Sequence, residues 1–356
     1  MKQTDILETT LRDGSYAINF SFTAQDTFVL CRELESVGFE YIEVGHGAGL
    51  NARNSGLGVT AANDEEYMKA ARRALKRARY GMFCIPGIAK LSDLNLAKKH
   101  RMGFIRIGTN VNKVEASEAF IKKAKRIGMY VAANYMKSYA LSPKEFAKKV
   151  ILSEKYGADV VYIVDSAGGM MPGAIKDYVT EIRKVSDMPL GFHGHNNLGF
   201  ALANSLDAVK MGFRLVDASL QGIGRSSGNA CTETLVAVLK KAGYETGIDF
   251  LKLLKLGQKY IYPILPKQGQ QPLDIVSGYA EFHSSYMPHI LKYAAKYRVE
   301  AESLIIEMCK INKVDVEDKT LEKIAEKLRK SRDVYIGRGG INQYVGGEQE
   351  IYDHSR

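Results

Sequence analysis

The stretch DILETTLRDGSY, residues 5–16, is a short apolar and β-branched run that ends on an arginine, an aspartate, a glycine and a tyrosine. The pattern predicts a strand over 5–11, and the turn at its end decides the fold. An open doubly wound sheet usually carries a glycine-rich phosphate turn after its first strand, and LRDGSY is not one. Runs of the same kind recur as YIEVGH (41–46), YGMFCIP (80–86), FIRIGTN (104–110), YVAANYM (130–136), VVYIVDS (160–166), LGFHGHN (190–196) and LVDASLQ (215–221). Between them, stretches such as DTFVLCRELESVG and ALANSLDAVKMG repeat apolar residues at three and four positions and stop at glycine, the pattern of amphipathic helices with their C-terminal caps. Eight consecutive strand–helix units in about 245 residues are the length of a (β/α)8 TIM barrel. A barrel is therefore expected over 1–248.

Beyond residue 248 the alternation stops. DFLKLLKLGQKYI reads as a helix, YPILPKQGQQP as a linker, and the subsequent stretches as further helices, so a smaller helical C-terminal domain is expected over 249–333, closing over the active site. Residues 334–356 form a glycine-rich, partly strand-like extension. With 46% hydrophobic and 25% charged residues, the chain of 356 has the composition of an ordinary globular protein. No stretch approaches the roughly 20 apolar residues of a membrane span, and MKQTDILETT lacks the apolar core of a signal peptide, so a cytoplasmic protein is expected. Cys31, Cys84, Cys231 and Cys309 form no CxxC pair and read as reduced. The net charge of +10 is carried by runs such as IKKAKR (121–126) that alternate with apolar residues at helical spacing, so they read as solvated helix faces and no nucleic-acid partner is expected.

In a barrel of this kind the active site lies at the C-terminal ends of the strands. That rule gathers Arg12 and Asp13, Glu43 and His46, Asn110, Asn134, Asp165 and Ser166, His193 and His195, and Asp217 and Ser219 on one rim. His193 and His195 lie two apart on an extended segment and point to one side. An isolated HxH is more often a pair of satisfied core or loop histidines. At a strand end, with Asp13 available, the pair suits a two-histidine, one-carboxylate site with open positions for Mn²⁺, Mg²⁺, Co²⁺ or Fe²⁺. Arg12 and Asp13 are adjacent, so their mutual pairing is expected to be poor, with each serving a separate partner: Asp13 a metal, Arg12 a carboxylate or developing enolate. Glu43 is expected as a buried partner for Arg12.

The ordered set TLRDG, EVGHGAGL (43–50), PGI (86–88), DSAGGM (165–170), GFHGHNNLGFALANSLDAV and VDASLQGIGRSSGNACTETLVAV resembles the metal-dependent pyruvate aldolases, especially the 4-hydroxy-2-oxovalerate aldolases of the barrel superfamily that includes hydroxymethylglutaryl-CoA lyase and the isopropylmalate synthases. The resemblance covers roughly residues 4 to 325. It implies that Asp13, His193 and His195 hold a divalent metal, Mn²⁺ first with Mg²⁺ or Co²⁺ as alternatives. Arg12 would stabilise a pyruvate enolate, and Ser166, His46 and His193 would lie against substrate. Asn229, in the superfamily's Gly-Asn motif, has a metal role or a helix-capping role. The reaction implied is cleavage or formation of a 4-hydroxy-2-oxo acid from pyruvate and an aldehyde in a homo-oligomeric enzyme. The alternatives are a Claisen-type acyl-CoA lyase or synthase, and a metal-binding pseudoenzyme.

Three departures stand out. The family's pattern has a histidine, its catalytic base, where this chain has Tyr16, and a tyrosine in a Tyr-Ser-Ser-aromatic run where this chain reads HSSY with His283. Either these are two unrelated substitutions, or Tyr16 and His283 face each other with roles exchanged, His283 acting as base. The third concerns partners. The better-known aldolases pass their aldehyde to an acylating aldehyde dehydrogenase and carry a Gly-Gly-Gln-Glu run. Here the aligned region reads KVDVEDKT (313–320), and GGEQE stands at 346–350, which counts against channelling and against a small aldehyde.

Overall fold

In the computed structural model, which describes residues 4–265 and 272–330, eight parallel strands close on themselves in chain order. They are β1 (Asp5–Glu8), β2 (Tyr41–Glu43), β3 (Arg79–Cys84), β4 (Phe104–Asn110), β5 (Tyr130–Met136), β6 (Val160–Asp165), β7 (Leu190–Gly194) and β8 (Leu215–Ala218). Outside them run α1 (Ala24–Val37), α2 (Asp64–Ala74), α3 (Asp93–Lys99), α4 (Glu118–Arg126), α5 (Pro143–Tyr156), α6 (Ala174–Ile182), α7 (Ala201–Lys210) and α8 (Thr232–Lys241). The barrel expected from the sequence is therefore present. Reciprocal capping boxes start α1 at Thr23 and Asp26, α2 at Asn63 and Glu66, and α5 at Ser142 and Glu145. The extension 334–356 lies outside the described residues.

β4 and β5 match their expected bounds, whereas β1 stops at Glu8 and β8 at Ala218, three residues short of the apolar runs that announced them. The reason is local. The amides of Arg12 and Asp13 both donate to the carbonyl of Thr9, at 3.0 and 2.8 Å, so TLRD is already a turn and Asp13–Ile18 continues as a 3-10 helix. The residues at the start of the chain's chemistry thus sit on a loop above the first strand, not in it.

The barrel interior is built in layers. The lower one is apolar, with Leu7, Tyr41, Phe104, Tyr162 and Leu215 in one cluster. Glycines make room for its rings: a Cβ on Gly81 would lie 2.3 Å from the Phe104 ring, and one on Gly191 would lie 2.5 Å from the Tyr162 ring. Two residues further along β2, β4 and β8 the same inward face turns polar, as Tyr41 gives way to Glu43, Phe104 to Arg106 and Leu215 to Asp217. Arg106 is wholly buried. Its Nη1 donates to Glu43 Oε2 at 2.8 Å, and its Nη2 reaches Asp217 Oδ2 at 2.6 Å and Asn134 Oδ1 at 2.8 Å. The guanidinium lies 4.5 Å from the centroid of the Tyr162 ring beneath.

The next helix, α9 (Phe250–Tyr260), packs on α1 and α8, with Leu253, Leu256 and Ile261 in the barrel core. The helices α10 (Pro272–Ala280), α11 (Met287–Tyr297), α12 (Ala301–Ile311) and α13 (Asp318–Lys330) gather a core of their own around Phe282, Ile290, Leu304, Met308 and Leu321. The apolar division of the chain therefore falls after α9, later than the change of sequence pattern at 248. Contacts of several kinds tie these helices to the rim. Asn197 Nδ2 donates to the Asp274 carbonyl at 2.9 Å, Lys137 Nζ donates to the Val314 carbonyl, and the backbones of Gly169 and Gly278 meet so closely that a Cβ on Gly169 would lie 2.3 Å from the Gly278 oxygen. No helix among the described residues is long and apolar enough to cross a membrane.

Removing the buried guanidinium leaves two carboxylates facing each other in a dry interior. Arg106→Met is expected to lower unfolding free energy by about 3–5 kcal/mol, measured by urea denaturation. A loss below about 1 kcal/mol would show that the barrel centre relaxes around the missing charge.

Candidate active site

A cavity of about 1210 Å³ opens above the polar layer. Its walls come from the strand-end loops, with Arg12, Asp13, Tyr16, Asn110, Asn134, Lys137, Ser166, His193, His195 and Arg225, and from the C-terminal helices, with His283 and Tyr286. Glu43, His46, Asp165, Asp217 and Ser219, placed on the same rim by sequence, are not among its lining residues.

At the floor, one ligand atom each from Asp13, His193 and His195 lies within 4.8 Å of the others. The two imidazole rings are 5.1 Å apart and nearly perpendicular. Nδ1 of His193 faces Asp217 Oδ2 at 2.8 Å, and Nδ1 of His195 faces the Gly228 carbonyl at 3.3 Å. Both partners are acceptors, so each ring carries its proton on Nδ1 and turns the lone pair of Nε2 to the cluster. Burial pushes His195 down to about 3, against the pull of Asp13, and so holds it neutral. Burial also opposes the charge on Asp13, but the neighbouring positive charges, Arg12 first and then Arg225, outweigh it and keep the carboxyl well below the usual range.

The donor set fits a divalent cation. Asn229 Nδ2 donates to Asp13 Oδ2 at 2.8 Å, while Asn229 Oδ1 is buried with no hydrogen-bond partner, an acceptor waiting beside the cluster. Around it, the carboxylates of Asp13, Glu43 and Asp217 face the guanidinia of Arg12 and Arg106. Nitrogen and oxygen donors without thiolate suit Mn²⁺, Mg²⁺ or Co²⁺ better than a structural zinc site.

Arg12 corrects one expectation. Its Nε donates to Glu43 Oε2 at 2.7 Å, as anticipated, but its Nη1 also bonds Asp13 Oδ1 at 2.7 Å. Adjacent residues on a strand would diverge. These two stand in a turn, where Arg12 has helical backbone angles and its side chain can fold over its neighbour. The same arginine lies 4.9 Å from the Phe83 ring centroid, so it is held from three sides.

His46 corrects another. It does not line the cavity: its ring stacks on Phe20 at 4.0 Å and its Nδ1 accepts from the Ala48 amide at 2.9 Å, which buries it behind the wall. Ser166 does line the cavity, its Oγ accepting from the Lys137 amide at 2.9 Å. Asp165 instead holds the loop, accepting from the amides of Gly169 and Met170 at 3.1 and 2.8 Å, and burial pushes its carboxyl up to about 6. Tyr16 packs edge-on against Phe20 beside Gly47, where a Cβ would collide with its ring at 2.3 Å. Burial raises its phenol, which therefore stays protonated.

His283 reaches the cavity from the turn before α11, with Nδ1 2.6 Å from Ser285 Oγ. Arg225 Nη1 lies 3.0 and 2.8 Å from its two ring nitrogens, and Arg225 Nη2 lies 3.2 Å from His195 Nε2. The same guanidinium is 5.8 Å from the Tyr16 ring. Tyr16 and His283 thus share a cavity with Arg225 against both. Burial first, then the charges of Arg225 and Lys137, hold His283 well below its ordinary value. Sequence reasoning missed Arg225, Lys137 and Arg106. Arg225 had a signal, an arginine inside the glycine-rich run GIGRSSGN.

The HMGL-like family model matches residues 3–259. The chain belongs to the HMGL-like family. Among curated relatives of this HMGL-like protein, the 4-hydroxy-2-oxovalerate aldolase of Carboxydothermus hydrogenoformans is 35% identical over 93% of this chain and 98% of its own length. That of Pelotomaculum thermopropionicum is 37% identical over 85% of this chain and 89% of its own. The carboxyl transferase domain of Rhizobium etli pyruvate carboxylase has the same fold, with a TM-score of 0.75 at 16% identity, over 93% of this chain and 61% of its own. HMG-CoA lyase from Brucella melitensis does too, with a TM-score of 0.64 at 19% identity, over 75% of this chain and all of its own.

Asp217 fixes the tautomer of His193 without touching the cluster. Asp217→Asn is expected to weaken Mn²⁺ binding about 10- to 100-fold in calorimetric titration. Unchanged affinity would show that His193 is not a ligand.

Proposed function

We propose that this HMGL-like protein is a divalent-metal-dependent pyruvate aldolase, a carbon–carbon lyase that cleaves or forms a 4-hydroxy-2-oxo acid. The observation that carries the reading is the convergence of Asp13, His193 and His195 with Arg12 at one cavity floor. Asp13, His193 and His195 would hold the ion, with Mn²⁺ the first candidate and Mg²⁺ or Co²⁺ next. The bound ion supplies Lewis-acid polarisation of a keto oxygen.

The chain's own residues do the rest. Ser166 offers a hydroxyl to the substrate carboxylate. Arg12, fixed by Glu43 and Asp13, presents its positive charge to the oxygen on which the enolate charge develops. In cleavage, the C4 hydroxyl gives its proton to His283, the C3–C4 bond breaks, its electron pair passes to the pyruvate enolate, and the aldehyde leaves. Proton return to C3 completes pyruvate.

Magnitudes favour His283 over Tyr16 for the proton. Ionising a phenol of pKa about 10 at pH 7 costs about 4 kcal/mol, and burial raises that cost for Tyr16. Neutral His283 already carries a lone pair, while the Tyr16 hydroxyl serves to orient the aldehyde oxygen. The imidazole cannot accept a proton while Arg225 donates to it, so substrate must draw the guanidinium aside. An acyl-CoA lyase or synthase is not favoured by the relatives, whose names are those of aldolases. The partners we propose are pyruvate and an aldehyde, in a cytoplasmic homo-oligomer. The KVDVEDKT segment at 313–320 argues against channelling to an aldehyde dehydrogenase.

Pyruvate methyl-proton exchange in D₂O tests enolate formation without any aldehyde. Exchange is expected with Mn²⁺, to be lost with EDTA and to return when Mn²⁺ is restored. No exchange together with no bound metal would overturn the reading. His283→Ala is expected to lower aldol cleavage by about 10²- to 10⁴-fold with Mn²⁺ affinity unchanged, and nearly normal turnover would remove His283 as the base.

A further inference from the structure

Pyruvate accounts for Arg12 and the metal cluster, and the cavity holds two more cations that it does not use. Arg225 stands in the glycine-rich loop after β8, and its guanidinium rests on the imidazole rings of His283 and His195. Among the described residues it forms no ion pair with a carboxylate. A guanidinium is built for bidentate contact with an oxyanion, and two imidazole rings are a weak substitute.

Lys137, at the end of β5, is 3% exposed. Its ammonium bonds the Val314 carbonyl and lies 3.4 Å from the Tyr286 hydroxyl and 4.7 Å above that ring. Both residues line the cavity, and both act on His283, which lies between barrel and helices. The cavity also exceeds the roughly 300–1,000 Å³ of ordinary small-molecule sites, which is far more room than pyruvate and a two-carbon aldehyde fill.

We propose that the aldehyde partner carries an oxyanion of its own, a carboxylate or a phosphate remote from the carbonyl, and that Arg225 and Lys137 receive it. The inference rests on the aldolase reading and names its substrate class. Recognition and catalysis are then coupled. An anion that engages Arg225 draws the guanidinium off Nε2 of His283, and the imidazole becomes free to exchange a proton with the aldol hydroxyl. A neutral aldehyde gives Arg225 no reason to move.

The test is aldol condensation with pyruvate by the full-length Mn²⁺ enzyme, comparing each anionic aldehyde with a neutral counterpart: succinic semialdehyde with butanal, and D-glyceraldehyde 3-phosphate with D-glyceraldehyde. At least one pair is expected to show a kcat/KM ratio above tenfold in favour of the anion, and that pair identifies carboxylate or phosphate. In Arg225→Met the ratio is expected to fall toward one, mainly through KM for the anionic aldehyde, and Arg225→Lys is expected to restore part of it. The ratio is taken within each variant, so a general loss of activity does not move it. Ratios below tenfold for both pairs, a ratio unchanged in Arg225→Met, or no reaction with any of the four aldehydes would overturn the inference. If pyruvate exchange in D₂O persists in those cases, only the substrate class falls. If exchange is absent as well, the aldolase reading falls with it.

Discussion

The buried charge of Arg106 is the constraint on which the rest of the site depends. It draws Glu43 and Asp217 into the middle of the barrel, and these carboxylates in turn hold Arg12 and His193. Arg12 bonds Asp13, so an unbroken chain of ion pairs and hydrogen bonds runs from one metal-ligand candidate, through the barrel axis, to another. Two candidate ligands that stand 180 residues apart in the sequence are thereby positioned by a single buried cation. Burying five charged groups is costly unless every one is paired, and here each is.

Much of this is legible in the sequence. The alternation of apolar runs with amphipathic stretches ending in glycine has only a few solutions, and eight units in succession point to a closed barrel. The rule that chemistry gathers at the C-terminal strand ends then places Arg12, Asp13, Ser166, His193 and His195 at one cavity, where the structure has them. FIRIGTN and YVAANYM become strands with the expected bounds because they pair with each other along their whole length.

The differences have physical causes. Apolar composition does not reveal where a backbone turns, so TLRD reads as strand although the carbonyl of Thr9 has already closed a turn, and the Arg12–Asp13 pair is lost with it. His46 stands near a strand end, but proximity in sequence says nothing about which side of the wall a ring takes. Arg106 sits in mid-strand, where a charge normally faces solvent, and only the barrel's closure shows that this position faces inward. Arg225 and Lys137 acquire meaning from contacts with residues roughly 60 and 150 positions away, His283 and Tyr286, which no local pattern encodes.

The contact between Gly169 and Gly278 carries a consequence for how such an enzyme can change. It is a backbone-to-backbone seam between the loop that bears Ser166 and the helical unit that delivers His283, with few side-chain identities at stake in it. A descendant could rebuild the helical unit's inner surface, and with it the choice of carbonyl partner, while the seam kept that surface in register with the enolate-forming floor. The exchange of Tyr16 and His283 relative to the aldolase pattern fits that kind of history, in which one half of the reaction is held fixed and the other is left open to revision.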